Sequence, residues 1–474
     1  MKKPAATPAR TPMEPQTAAP VEEAPATTPA RTLMEPQTAA PVEEAPATTP
    51  ARTPTTKPQA GASVEAVFRE EHGRLLAALV RRFGDLDLAE EVTADALEAA
   101  LVHWPVDGVP ARPGAWLMTT ARRRAVDRLR RDQAYAARLA LLHVEAERAA
   151  PAPPADAADA DGLPDERLQL FFTCSHPALA AEDRGALMLR CLAGLSTPEV
   201  ARAFLVPAPT MAKRIVRAKK KIREARVPFR VPDADELPER LPGVLQVIYS
   251  IFTEGYAASS GPHLQRLDLA EEAIRLARIL RRLLPAEREV AGLLALLLLI
   301  HARRAARTGP EGELVLLEEQ DRGRWDRSMI EEGLALVPVA LAGPPGPYGV
   351  QAAIAALHDE AANVATTDWP QIVALYDVLL ALAPSPVVEL NRAAAVALRD
   401  GPEQGLALLD ALAGEPRLRE YAPYLTARAD LLERLGRRAE AATAYREALR
   451  LVGNDPERAH LRRRLSALEP PDLA

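Results

Sequence analysis

Apolar residues in this chain return at steps of three and four wherever they cluster, and that spacing constrains the fold more than any single motif. Val64, Val67, Phe68, Leu75, Leu76, Leu79, Val80 and Phe83 form one such series, which places them on one face of an amphipathic α-helix. A second helix is predicted from about Leu88 to Trp104, and a third from about Ala115 to beyond Arg131. Another helical block covers 164–226, and from Leu237 to Leu468 the pattern reads as successive helices. Only 4% of the residues are aromatic, and alanine and leucine dominate, a composition that favours helices over sheets. The predicted fold class is all-α. At 474 residues the chain is too long for a single core and is expected to form about three domains.

The first sixty residues follow another rule. ARTPMEPQTAAPVEEAPATTP begins at Ala9 and returns at Ala30 with one change, a period of 30 − 9 = 21 residues. Proline, threonine and alanine with few large apolar side chains cannot bury enough surface to offset ordering entropy, so 1–62 is expected to be a disordered tail. AAPAPPADAADADG, Ala149 to Gly162, reads as an acidic linker within 136–163. The opening MKKPAATPAR has no apolar run behind it and does not read as a signal peptide. GLLALLLLI, Gly292 to Ile300, is too short to span a bilayer and is expected to be a buried core helix. Two cysteines, Cys174 and Cys191, imply no disulfide framework and fit a reducing cytoplasm. With His176 they offer three candidate metal ligands, but isolated cysteines on apolar helices are more often core; no metal or cofactor is expected.

Charge then separates the helices. LSTPEVARAFL offers Ser196 and Glu199 at capping-box spacing with Pro198 in the first turn, and a second helix opens at Pro209 after VPAP. Two short helices joined by a tight turn make a helix-turn-helix pattern. On the second, Met211, Ile215, Ala218 and Ile222 form the inward stripe, leaving Thr210, Lys213, Arg214, Arg217, Lys220 and Lys221 outward. Ala212 to Arg226 holds eight basic residues against Glu224 alone; a solvated face would carry mixed signs, so this surface points to nucleic acid. WLMTTARRRAVDRLRR adds Arg122, Arg123, Arg124, Arg128, Arg130 and Arg131 against Asp127. The stretch before it is opposite in sign, with four arginines against ten acids from Val64 to Asp107. A plain DNA-binding domain has no need of an acidic half; a protein that holds a basic partner and DNA together does.

AEEVTADALEAALVHW followed by RPGAWLMTTARRRAVDRLRR resembles region 2 of an extracytoplasmic-function sigma factor of the sigma-70 family, and LSTPEVARAFLVPAPTMAKRIVRAKKKIRE resembles its region 4. Thr210, Arg214, Arg217 and Ala218 fill the places of the family's Thr, Arg, Arg and Ala. The resemblance implies region 2 over 63–135, a linker over 136–163 and region 4 over 164–230. It implies that Asp87, Glu90, Glu91 and Asp95 bind the clamp helices of the largest subunit of core RNA polymerase. Arg122 to Arg131 would bind the melted minus-ten element, and the region 4 helix would read the minus-thirty-five element of promoter DNA. Trp116 and Leu117 read as core rather than base contacts.

The remaining half, 231–474, has no counterpart in ordinary members of that family. Ala429, Leu432, Gly436, Ala441, Tyr445 and Ala448 stand at tetratricopeptide spacing, and Gly401 precedes Gly436 by 436 − 401 = 35 residues. With IFTEGYAASS, QDRGRWDRSMI, GPYGVQAAIAALH and SPVVELNRAAAVA, this half resembles the subgroup with a tetratricopeptide-like C-terminal extension. Such an array implies a groove for a peptide or protein segment, from this chain or another. Regions 2 and 4 are expected to fold without it. Glu254, Asp321, Asp326, Arg322 and Arg327 match no catalytic motif, and His301, His358 and His460 lack metal-ligand spacing, so no enzyme is expected. The predicted function is promoter-specific transcription initiation. The alternative is a helix-turn-helix regulator with a helical-repeat sensor or scaffold, acting without core polymerase.

Overall fold

The computed structural model describes residues 57–142, 166–204 and 206–468. Residues 1–56 of the expected tail, with its duplication, 143–163 of the expected linker and 164–165 of the expected region 4 lie outside them. Among the described residues the regular structure is helical, with two isolated bridges, Gly261 to Asn454 and Thr308 to Leu314, as the only strand-like pairings. The all-α expectation holds.

Three long helices come first: α1 Lys57–Phe83, α2 Leu86–Asp107 and α3 Pro113–Leu142. The helix α1 starts before the expected tail ends, and α3 continues seven residues into the stretch read as linker (142 − 135). Asp85 caps α2, its carboxylate accepting from the backbone N–H of Asp87 at 2.8 Å and of Leu88 at 3.1 Å. Leu75, Leu76, Leu79, Val92, Ala96, Leu117, Met118 and Ala121 are buried among the three helices. Trp116 is half-buried and stands edge-on to Trp104, ring centroids 5.5 Å apart.

Four shorter helices follow: α4 Arg167–Cys174, α5 Ala181–Cys191, α6 Thr197–Ala203 and α7 Ala208–Glu224. The predicted capping box forms: the Glu199 carboxylate accepts from the Ser196 N–H at 2.7 Å, and the Glu199 N–H donates to the Ser196 hydroxyl at 3.4 Å. Cys174 and Cys191 are both buried and unbridged. A hydrogen bond from the Cys191 S–H to Cys174, and burial after it, push the Cys191 thiol well above its ordinary pKa, so it stays protonated. Among the described residues no group of three His, Cys, Asp or Glu could hold a metal ion.

The second half continues as α8 Leu237–Tyr256, α9 Leu267–Leu283, α10 Arg288–Ala302, α11 Arg327–Ala340 and α12 Pro347–Glu360. Beyond them come α13 Trp369–Leu382, α14 Pro386–Asp400, α15 Pro402–Ala411, α16 Ala422–Arg434, α17 Arg438–Leu451 and α18 Asp455–Leu468. The helix α10, which contains GLLALLLLI, is buried almost all round and packs against α8, α9, α11 and α12. Gly292 is required there, because a Cβ on it would stand 2.6 Å from the Gly349 backbone nitrogen. Each later helix packs on the next, and Ala429, Ala441, Tyr445 and Ala448 are buried between α16 and α17 as the repeat spacing predicts.

One hydrophobic core runs from α1 through α7 into α8–α12 without a break. Both α4 and α5 pack on α8, the Arg240 guanidinium donates to the Phe172 carbonyl at 3.1 Å, and Arg275 of α9 donates to the Leu192 carbonyl at 3.2 Å. The first two regions were expected to fold on their own stripes; in the full chain their core is continuous with that of the extension. Ending the chain after Arg230 uncovers the α4–α5 face that packs on α8. We therefore expect the 57–230 fragment to unfold at lower denaturant concentration than the full chain and to bind an apolar dye. An unchanged midpoint for residues 57–230 would show that the shared core contributes nothing to them.

Candidate nucleic-acid interface

The helix α7 begins after Pro207, whose carbonyl accepts from the Thr210 N–H at 2.9 Å. Met211, Ile215, Ala218 and Ile222 are its buried stripe, as the spacing predicts. Thr210, Lys213, Arg217, Lys220 and Lys221 are exposed, together with Val216. Arg214 is half-buried, its guanidinium 5.9 Å from the centre of the Phe204 ring on the connection from α6. Asp183 at the start of α5 lies near Arg214 and Arg217; burial raises its pKa and the two guanidiniums oppose that rise. In the outward row Lys213, Arg217, Lys220 and Lys221, Glu224 lies 3.5 Å from Lys220, and Asp183 faces Arg217. A row of cations on the second helix of a helix-turn-helix can meet phosphates and, near its N-terminus, base edges.

The six arginines of α3 divide in two. Arg123, Arg124, Arg130 and Arg131 are exposed. Arg128 is paired with Glu91 of α2. Arg122 is half-buried, and burial first, then neighbouring Arg82, lowers its pKa.

The acidic side of α2 differs from expectation. Glu91 is exposed and Asp95 half-buried, but Glu90 is buried, with 8% of its surface accessible. It sits between Arg190 of α5, at 3.2 Å, and Lys219 of α7. Lys219 also reaches Asp87 at 3.0 Å, and Arg223 pairs with the other Asp87 oxygen. Burial works against the charged form of Asp87, but Lys219 and Arg223 outweigh it and hold this carboxyl below its ordinary range. Burial likewise works against the Lys219 ammonium, and Glu90 and Asp87 outweigh it, so its pKa is raised. The cations of α7 thus occupy two faces, one open to solvent and one, Lys219 and Arg223, closed on α2. Glu90 is therefore not the exposed acid that its composition implied. Lys219, Arg223 and Arg190 are the residues that charge counting missed; the four-residue step from Lys219 to Arg223 and the three-residue step from Asp87 to Glu90 are the signals that could have paired them.

Further contacts close the same junction. Gly73 of α1 approaches the Leu192 carbonyl so closely that a Cβ would stand 2.9 Å from the oxygen. Beside it the His72 imidazole is buried and held neutral, burial and then Arg190 lowering its pKa to about 3. Arg81 pairs with the buried Glu166.

The charged motifs of the second half are structural. The carboxylate of Asp321 caps the Gly323 N–H at 2.8 Å, and Asp326 caps α11 while pairing with Arg304 at 3.0 Å. The Arg303 and Arg322 guanidiniums stand 5.1 and 4.6 Å from the Trp325 ring centre. Among the described residues no helix is long and apolar enough to cross a membrane.

Removing the Lys219 side chain leaves Glu90 buried with Arg190 as its remaining cation. Breaking a buried pair costs about 3–5 kcal/mol, and retention of Arg190 puts Lys219→Ala near the low end, about 3 kcal/mol. Lys220→Ala, on the open face, should stay within about 0.5 kcal/mol of wild type. The Asp87 carboxyl has a lowered pKa, so its contribution is complete above the ordinary value of about 4 and is lost as pH falls through the lowered one. Denaturant midpoints of both variants, at neutral and acid pH, check this; equal midpoints for Lys219→Ala and Lys220→Ala would refute the buried pair.

Residues 67–135 match the family Sigma-70 region 2, and 173–222 match Sigma-70, region 4. Residues 240–341 match a family of unknown function, DUF6596. The chain is 46% identical over 404 residues to Uncharacterized protein R00370 of Rhizobium meliloti (strain 1021), a match that covers 84% of this chain and 95% of the relative. No solved structure matches it. With regions 2 and 4 in this order and a helical extension behind them, the chain belongs to the sigma-70 family as an RNA polymerase sigma factor of the extracytoplasmic-function type.

Proposed function

We propose that the chain directs core RNA polymerase to specific promoters in the cytoplasm, acting through binding and not as an enzyme. The observation that carries this reading is the open cation row of α7, Lys213, Arg217, Lys220 and Lys221, on a helix whose apolar stripe is fully used. This row docks at the minus-thirty-five element, with Lys213 nearest the base edges, Thr210 on phosphate, and Arg214 steadied by Phe204. The exposed arginines of α3, Arg123, Arg124, Arg130 and Arg131, hold the opened minus-ten strand, with Arg122 and Arg128 behind them.

The acids of α2 meet the basic clamp helices of the polymerase's largest subunit. Glu91 and Asp95 are already accessible, whereas Asp87 and Glu90 are held by Lys219 and Arg223. Engagement with the polymerase therefore exchanges one set of cations for another, and region 4 must leave α2. The extension regulates this step through the core it shares with α4 and α5.

Lys213→Ala and Arg217→Ala each remove an exposed cation without touching the apolar stripe. Each is expected to lower discrimination between a matched and a scrambled minus-thirty-five element by about 1–3 kcal/mol, measured with holoenzyme at fixed salt. Wild-type discrimination in both variants would overturn the recognition-helix assignment. Asp95→Arg should weaken core-enzyme binding, most strongly at low salt. Arg223→Ala, which leaves Asp87 to Lys219 alone, should strengthen it. Core binding unaffected by both changes would favour the regulator that works without polymerase.

A further inference from the structure

A cavity of about 530 Å³ opens in the extension, walled by α8, α10, α12, α13 and α14. That volume falls in the range of small-molecule sites, about 300–1,000 Å³. Tyr249, Phe252, Ile300, Tyr348, Tyr376 and Leu379 give it an apolar and aromatic lining. Tyr249 and Tyr348 meet edge to face, centroids 5.6 Å apart. The hydroxyls of Tyr249, Tyr348 and Tyr376 make no hydrogen bond among the described residues, and a phenol O–H inside an apolar wall wants an acceptor.

Two of the charged groups around the cavity, Arg303 and Glu289, are already committed. The Arg303 guanidinium donates to Asp359 at 2.7 Å and to the Ala355 carbonyl at 3.1 Å. The Glu289 carboxylate accepts from the backbone N–H of Tyr348 and of Gly349, each at 3.0 Å. His358 is held neutral, burial and then Arg303 lowering its pKa to about 3. Burial pushes Tyr376 up to about 12 and raises Tyr249 and Tyr348, so all three hydroxyls keep their protons and remain donors. Glu287 and Arg288 bring opposite charges to the lining. Because these two are opposite in sign, the lining favours neither a cation nor an anion, and an ionic ligand would lose its hydration on entry. A peptide fits less well, because the walls are helices whose backbone groups are already paired.

We propose that this cavity binds an uncharged, ring-containing small molecule whose carbonyl or ether oxygen receives hydrogen bonds from the tyrosine hydroxyls. The site stands independently of how the chain reads promoters. Its location makes it a sensor: Leu241 and Leu245 of α8 line the cavity, and the same helix packs on α4 and α5 of region 4.

The test uses the full chain and 7-diethylamino-4-methylcoumarin, a neutral fluorophore with one lactone carbonyl, beside the anionic 1-anilinonaphthalene-8-sulfonate. Saturable binding of one coumarin per chain is expected, with the sulfonate about tenfold weaker or more. The isosteric double variant Tyr249→Phe/Tyr376→Phe should weaken coumarin binding by about tenfold, and Thr253→Trp, which fills the cavity, should abolish it. Absence of saturable coumarin binding to the wild type would refute the proposal. So would equal affinity for the sulfonate, or affinity unchanged in both variants. Saturable binding of a synthetic peptide spanning residues 9–29 in place of the coumarin would make the cavity a peptide groove and equally overturn it.

Discussion

The carboxylate of Glu90, buried where α2 meets α5 and α7, sets the arrangement of the first half of the molecule. A carboxylate removed from water must be matched by cations and hydrogen bonds, and Arg190 and Lys219 supply them. Lys219 can do so only if α7 presents one particular face to α2. Arg223, one turn further on, then falls on Asp87. The remaining cations of α7, at Lys213, Arg217, Lys220 and Lys221, are rotated away and stay open. One buried charge thus fixes which face of α7 is left open to solvent.

The junction survives because the surrounding core is continuous. The helix α10 can be apolar all round only because α8, α9, α11 and α12 cover it. Through α8 and α9 that cover extends to α4 and α5. Charged side chains tie the covering elements together: Glu289 joins α10 to the first turn of α12, and Arg303 joins the end of α10 to Asp359. The residues in the second half that look most like a catalytic set are therefore the mortar between helices.

Much of this was legible in the sequence, and the exceptions share a cause. The stripe Met211, Ile215, Ala218 and Ile222, the Ser196/Glu199 box, the core position of Leu117 and the small residues between α16 and α17 are local patterns, governed by helical period and capping. Glu90 and Lys219 are different. Composition marks both as surface residues, and only the approach of α7 to α2, more than a hundred residues apart in the chain, buries them. Phase gave one hint, since Glu90 follows buried Ala89 and precedes buried Val92 and Thr93. Charge counting also cannot separate two cationic faces on one helix, so α7 read as a single outward surface. The sharing of one core between the first two regions and the extension was hidden for the same reason: an apolar stripe shows that a face is buried, not against what.

The contact between α2 and α7 has a thermodynamic consequence on the proposed reading. Asp87 and Glu90 cannot hold Lys219 and a polymerase cation at once, so the closed contact competes with the polymerase from within the chain. An intramolecular competitor acts at high effective concentration, and the apparent affinity for core enzyme falls with the fraction of molecules that are open. Anything that holds α7 away from α2 raises that fraction. Promoter DNA on the open face of α7 does so only if it binds the released helix better than the docked one, since a ligand with equal affinity for both states shifts neither. Lys219 and Arg223 supply that difference, because release adds two cations to those that can meet phosphate. Core binding and DNA binding are then linked with the same sign and, by reciprocity, to the same extent. On the proposed reading the acidic half of region 2 is a lock on region 4 that engagement with the polymerase opens.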